Sequence, residues 1–136
     1  YRLSNSRSRD GHAIVAFDDW LAYEFSLTGG FTMLVVLVEI GAISVTPLRS
    51  TYLHVIGGDV DWIGISQLFA SAQVNWDGAL FETVSAVGGG PVIDPLARAH
   101  LRELEARIGD DRLAINNGHF FDKWGRRMRI DEVDSP

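Results

Sequence analysis

The chain of 136 residues contains no cysteine and a single lysine. Without cysteine it can form neither disulfide bonds nor thiolate nucleophiles nor thiolate-ligated metal centres, so the apolar core must stabilise the fold alone. Disulfide-free chains are typical of reducing compartments, and we therefore expect a cytoplasmic location. At this length we expect one domain that buries roughly two thirds of the surface of its unfolded chain.

A hydrophobic run long enough to cross a bilayer is also absent from the sequence. The apolar run Phe25 to Val38 is fourteen residues long and is interrupted by Gly29-Gly30. A membrane-spanning helix needs about twenty consecutive apolar residues. We therefore expect no membrane among the partners of this chain.

Positive charge is scarce outside the two ends of the chain, whose net charge is −6. Residues 1–12 carry three Arg and one Asp (+2), and residues 13–111 carry four Arg and thirteen acids (−9). Residues 112–136 carry five basic and four acidic side chains (+1). Nonspecific nucleic-acid binding needs a broad positive surface, so this distribution argues against nucleic acid as a partner.

The hydrophobic pattern divides the chain into an arm and one domain. Residues 1–11 are polar, rich in Arg and Ser and without periodicity, which predicts a flexible basic arm. Residues 12–136 predict a single α+β domain. We expect one mixed, mostly antiparallel sheet of five to seven strands with two or three helices, which cover one face of the sheet.

Particular stretches carry the clearest signals of secondary structure. Phe31 to Val38 is nearly all apolar and β-branched, which predicts a central strand covered on both faces. Pro47 predicts the end of the strand that follows. Residues 51–84 follow the pattern strand, helix, strand, which predicts a parallel crossover unit. Asp94-Pro95 predicts the start of the most regular helix.

Two turn signatures near the C-terminus predict a closing β-hairpin. Asn117-Gly118 is typical of a two-residue hairpin turn. Asp122-Lys123-Trp124-Gly125 has Asp first and Gly fourth, as in a type I turn that ends in a left-handed residue. Both turns together would leave a strand of four residues, so we favour the second. The run FDKWGR, residues 121–126, resembles the Tyr-Asp-x-x-Gly-Arg turn of YD-repeat proteins, which implies shared hairpin chemistry only.

Metal-binding signals are weak in this sequence. No two histidines have the spacing that directs both imidazoles at one ion, and no HExxH motif occurs. Strand ends near Gly57–Asp61 and residues 119–122 could still assemble a ligand site from His54, Asp59, Asp61, His119 and Asp122. The alternative is that His54 is a hydrogen-bonded core residue and that the acids cap helices and form turns. We expect no metal and no cofactor.

Catalytic signals are equally weak. Ser66 lies within a predicted helix, and the run Gly64 to Leu68 lacks the second glycine of a nucleophile elbow. The glycine loop 88–90 lacks the Lys and Ser/Thr of a phosphate-binding loop. Glu39 and Glu82 lie in apolar strands, where partial burial would raise the pKa of a carboxyl group and suit it to acid–base chemistry. Because no reactive constellation is found, we expect a non-enzymatic protein.

A basic and aromatic segment lies at the C-terminal end. Four basic side chains accompany Phe120, Phe121 and Trp124, and they are Lys123, Arg126, Arg127 and Arg129. Arginines beside exposed aromatic rings can stack bases or hold a phosphate. Alternatively, the aromatic rings pack on the sheet, and the arginines cover them or pair with nearby acids.

The most informative stretch is a predicted helix without charge. No charged residue occurs from Trp62 to Trp76. A free surface helix normally carries charges on its outer face. Here that face would present small and neutral residues, including Ile63, Gly64, Gln67, Ala70 and Ser71. Because charge depletion is typical of interfaces, we predict a protein-interaction surface, with a homodimer or another protein as the partner.

Overall fold

The computed structural model describes residues 6–7 and 13–130, and the predicted arm therefore lies almost wholly outside the described residues. In chain order the elements are β1 (Ser6–Arg7), β2 (Ala13–Ile14), α1 (Ala16–Thr28), β3 (Phe31–Ile40), β4 (Val45–Val55), α2 (Trp62–Ala70), β5 (Gly78–Val84), α3 (Asp94–Asp110), a 3₁₀ helix (Arg112–Asn117) and β6 (His119–Phe121). The backbones of β1 and β2 pair with each other.

The main sheet has four strands in the order β4-β3-β5-β6, and every neighbouring pair is antiparallel. The prediction of a mixed sheet with five to seven strands is therefore wrong. The predicted parallel crossover is wrong as well, because β4 and β5 lie on opposite sides of β3 and do not pair with each other.

Proline accounts for part of the error in the strand count. Pro47 does not end a strand, because β4 runs through it from Val45 to Val55. A register shift opposite Leu37 and Val38 accommodates the irregularity. Proline lacks the amide donor that a central strand needs, but an edge strand bonds on one side only and tolerates it. Two predicted strands are therefore one edge strand.

The two predicted C-terminal turns account for the rest of the error in the strand count. Asn117 ends the 3₁₀ helix, and Gly118 has a φ of −107°, so the predicted two-residue hairpin is wrong. The turn at Asp122–Gly125 is confirmed, because Gly125 has a φ of +74° and donates its N–H to the Asp122 carbonyl at 3.1 Å. The reversal continues into a single bridge between Phe121 and Arg127 rather than a further strand.

Helices cover both faces of the sheet, which corrects the prediction that they cover one. One face packs on α1 and α2 through an aromatic-rich core that includes Phe17, Trp20, Trp62, Phe69, Phe81 and Phe121. The other face packs on α3 and the 3₁₀ helix through Leu34, Val36, Leu80, Leu101, Leu104, Ile108 and Phe120. The prediction for Phe31–Val38 is confirmed, since all eight residues are buried in a strand with a neighbour on each side.

Candidate functional site

Helix α2 is fixed to the domain by its N-terminus and by three buried side chains. The Asp61 carboxylate accepts the Gly64 N–H at 2.9 Å, which is the expected N-cap bond. The Asp18 carboxylate accepts the Trp62 N–H at 2.7 Å and so ties α2 to α1. The inner face of α2 buries Trp62, Ile65 and Phe69. The rotation of α2 about its own axis is therefore set by apolar packing.

The outer face of α2 is exposed and neutral. Ile63 is 67 % exposed and Leu68 is 44 % exposed, so two large aliphatic side chains of α2 are in contact with solvent. The residues predicted from the sequence as an interaction surface are all exposed, namely Ile63, Gly64, Gln67, Ala70 and Ser71. No described residue covers them, and their role as an interface stays a prediction.

A groove of about 200 Å³ lies between α2 and the edge strand β4. Val35 and Leu37 of β3 contribute to its lining, with Leu68 and Ser71 on the side of α2. Residues 49–51 of β4 form the opposite side, and Arg49 is the single charged side chain in the described part of the chain that lines the groove. The groove and the outer face of α2 together make one neutral flank of the molecule.

The sequence contains a signal for an open, neutral edge beside this groove. Residues 40–58 contain Arg49 as their only charged side chain. Such a stretch is unusual for an exposed strand, which normally carries charges that discourage pairing with other chains. Because Pro47 predicts the end of a strand, the sequence pattern alone underestimates the length of the neutral edge.

The structure does not bring the predicted ligand-site residues together. His54 lies on β4 and His119 on β6, and these strands are the opposite edges of the sheet. Asp59 and Asp61 lie in the loop before α2, and Asp122 lies in the turn after β6. Within residues 13–130 no group of three His, Asp or Glu side chains is placed to hold a metal ion.

His54 links a carboxylate and a hydroxyl through two hydrogen bonds. Its Nε2 lies 2.8 Å from Asp94 Oδ1, and its Nδ1 lies 2.9 Å from Thr32 Oγ1. The bond to His54 lowers the pKa of Asp94, so the carboxylate accepts the Nε2–H and the Thr32 hydroxyl donates to Nδ1. Thr32 is fully buried and also accepts the Val92 N–H at 3.0 Å. The hydroxyl oxygen of Thr32 is therefore not accessible to a substrate. The hydrogen bond between His54 and Asp94 holds the start of α3 against β4.

The acidic loop before α2 lines a hollow of about 330 Å³ that also contacts α1. Burial raises the pKa of Asp18, whereas the bond from the Trp62 N–H lowers it, and repulsion from Asp61 and Asp19 raises it further. Asp18 and Asp61 each bind a backbone amide of α2. The hydrogen bonds that these two carboxylates make are therefore those of helix capping.

Trp20, His119 and Arg127 meet at the β6 edge. The ring of His119 lies 4.5 Å from that of Trp20, and its Nδ1 lies 3.1 Å from Arg127 Nη1. Arg127 has only N–H donors, so His119 accepts at Nδ1 and carries its proton on Nε2. Burial and the charge of Arg127 lower the pKa of His119, which favours the neutral ring. Burial also lowers the pKa of Arg127.

The other basic side chains lie in the turn at Asp122–Gly125 or directly after it. Arg126 donates from Nε to Asp122 Oδ2 at 2.7 Å and lies over the ring of Trp124. Lys123 is exposed, and its carbonyl accepts the indole N–H of Trp62 at 3.3 Å. Arg129 is exposed. Trp124 is 66 % exposed, and anion binding by Lys123, Arg126, Arg127 and Arg129 stays a prediction.

Comparison with protein-family models, curated proteins and solved structures found no match for this chain. No helix among the described residues is long and apolar enough to span a bilayer. The geometry of the neutral flank is therefore the basis for a functional proposal.

Proposed function

We propose that this chain is a non-enzymatic protein-interaction module that uses the outer face of α2 as its contact surface. The observation that carries the proposal is the exposure of Ile63 and Leu68 on a helix without any charged residue. Large exposed apolar side chains in a neutral patch are typical of interfaces. The first partner to test is a second copy of the chain, because homodimers are the commonest oligomers of soluble proteins.

The alternative explanations for a neutral helix do not apply to α2. A helix buried on all sides needs no charge, but the outer residues of α2 are exposed to solvent. A general shortage of charge in the chain would also produce neutral helices, but α3 carries seven Asp, Glu and Arg side chains among its seventeen residues. The lack of charge is therefore a property of α2 itself.

Analytical ultracentrifugation of the wild-type protein and of Gln67→Glu tests the proposal. Gln and Glu have nearly the same shape, so this substitution adds a charge without changing the packing. We expect the wild type to form a dimer and Gln67→Glu to dissociate at concentrations at least about tenfold higher, because a charge buried without a partner costs several kcal/mol.

Ala106→Glu is the matched control, since Ala106 is an exposed residue of α3. It adds the same charge on the opposite face of the sheet and should leave the dimer unchanged. A wild-type protein that is monomeric at every concentration reached would refute self-association. Equal effects of the two substitutions would show that net charge, and not the surface of α2, controls assembly.

Small-molecule binding is a second candidate, and one observation favours it. Trp20 lines a hollow of about 420 Å³ together with Asp19, Tyr23 and Arg127. The indole N–H of Trp20 is the one buried side-chain polar atom among the described residues without a hydrogen-bond partner. Thermal-shift screening of common metabolites tests this candidate. Stabilisation that is lost in Tyr23→Ala would support it, and no stabilisation by any compound would contradict it.

A further inference from the structure

Strand β4 has one edge that no described residue pairs with. Its other edge pairs with β3 along its whole length, and the register is continuous from Arg49 to Val55. In an antiparallel strand, backbone N–H and C=O groups point alternately to the two sides. The open side of β4 therefore presents unpaired donors and acceptors that only another extended backbone can satisfy in series.

The groove beside this edge is suited to receive a side chain. Its lining includes Val35 and Leu37, which belong to the buried core, and Leu68 of α2. The volume of about 200 Å³ is that of a cleft for one large side chain and not for a whole helix. In strand addition, backbone bonds hold the ligand, and alternate side chains enter such clefts.

Charge determines which extended segment would suit the site. Among the described residues Arg49 is the only charged one that lines the groove, and its guanidinium donates to the carbonyl of Leu48 at 3.0 Å. A guanidinium at the mouth of an apolar cleft favours a carboxylate next to an apolar side chain. Residues 45–55 contain no acid. A second copy paired through β4 would therefore bring no carboxylate of its own strand to Arg49.

We infer that β4 and α2 form a strand-addition site for an extended segment of another protein, which places an apolar side chain in the groove and an acidic side chain beside Arg49. The inference deepens the proposed interaction function by naming the chemistry of the partner. It uses the inner side of the neutral flank and does not depend on dimerisation through the outer face of α2.

Selection from a displayed library of random heptapeptides tests the inference with the full chain as bait. We expect enriched peptides with an acidic residue next to a large apolar residue. Their affinity should fall at least about tenfold in Thr51→Trp, because an indole on exposed Thr51 would fill the groove. Thr46→Trp is the control, since Thr46 is exposed on the same strand but does not line the groove. Arg49→Glu should reverse the preference for acidic peptides.

Hydrogen exchange of the complex provides the readout specific for strand addition. A bound peptide should slow the exchange of backbone amides between Arg49 and Val55, whereas insertion of a side chain alone would leave the open edge unprotected. The inference is overturned if no peptide is enriched, or if enriched peptides bind wild type and Thr51→Trp equally. It is also overturned if Thr51→Trp abolishes a wild-type dimer and no peptide binds, because the occupant is then a second copy. If Gln67→Glu has no effect on assembly while peptides still protect β4, the proposed contact through the outer face of α2 fails and the strand-addition site between β4 and the inner side of α2 stands.

Discussion

The two edges of the sheet differ in how many of their backbone hydrogen-bonding groups the fold itself pairs. At the β6 edge the chain turns back on itself, so the Asp122 N–H bonds to the Arg126 carbonyl at 2.9 Å and the Met128 N–H to the Phe120 carbonyl at 2.8 Å. Asn116 then binds the backbone of Ile130 through both atoms of its amide. At the β4 edge no described residue makes such bonds.

The β6 edge and the β4 edge differ in the groups that they leave available to a binding partner. Arg126, Arg127 and His119 are charged or polar groups of the kind that often mark binding sites, yet each is engaged in closing the β6 edge. β4 carries few such groups, but its open backbone and the adjoining groove are unused by the fold. The edge with the weaker sequence signal is therefore the better candidate for binding.

The largest effect is expected from a change that breaks the closed edge. Gly125 has a φ of +74°, and a Cβ atom at this position would collide with Val15 and with the ring of Trp62. Gly125→Ala should lower the free energy of unfolding by about 3 kcal/mol, because left-handed strain and overpacking add. Urea denaturation measures this loss.

Gly29 provides the matched control for the steric part of that effect. Its φ is +70°, but a Cβ atom there would meet nothing within 4 Å. Gly29→Ala should cost only about 1 kcal/mol of left-handed strain. Equal losses for the two substitutions would show that the turn at Gly125 is not closely packed against α2.

A smaller difference is expected between one arginine at each edge. Arg126 pairs with Asp122, whose side chain is only 7 % exposed, whereas Arg49 is exposed beside the open groove. Arg126→Gln should lower the free energy of unfolding by about 1–2 kcal/mol, because a buried carboxylate loses its cation. Arg49→Gln should change it by less than about 0.5 kcal/mol. Similar values from urea denaturation would contradict the distinction between the edges.

The smallest effect concerns the response of the closed edge to pH. The pKa of His119 is lowered from its ordinary 6.5 because the ring is partly buried beside Arg127. Below that pH the unfolded chain binds a proton more readily than the folded chain, so the free energy of unfolding should fall on acidification from 6.5. It should be unaffected by this residue above 6.5.

His119→Gln should remove this part of the pH dependence. Chemical denaturation at a series of pH values between about 5 and 8 compares the two proteins. At the open edge, the pKa of Asp94 is lowered from its ordinary 3.8. The free energy of unfolding therefore falls on account of Asp94 only below pH 3.8, where the unfolded chain takes up the proton more readily than the folded chain. If the free energy of unfolding depends on pH in the same way for wild type and His119→Gln between about pH 5 and 7, this part of the pH dependence does not come from His119.

Local signals predicted the elements that depend on local interactions. The strand Phe31–Val38, the turn at Asp122–Gly125 and the helix that begins at Asp94 were all predicted from residue type and spacing. The errors arose where tertiary context decides. Pro47 is compatible with β4 only because that strand is an edge, and the edge position depends on pairing with residues 31–40.

The candidate site was predictable to the same extent. The absence of charge in α2 and the exposure of its outer residues follow from composition and helical period, because Trp62, Ile65 and Phe69 fix the buried side. The ligand site suggested by the sequence from His54, His119 and three acids is not assembled, because the strand order places His54 and His119 at opposite edges of the sheet. The groove was missed because it exists only where α2 leaves part of β4 uncovered.

The sequence by itself determined the α+β class, the apolar central strand, the closing turn and the neutral helix, since each depends on composition or on neighbours a few residues apart. The tertiary structure decided the number and order of the strands, the covering of both faces and the contrast between a closed and an open edge. These features depend on which distant segments pair, and a hydrophobic pattern states that a side chain must be buried but not against which partner.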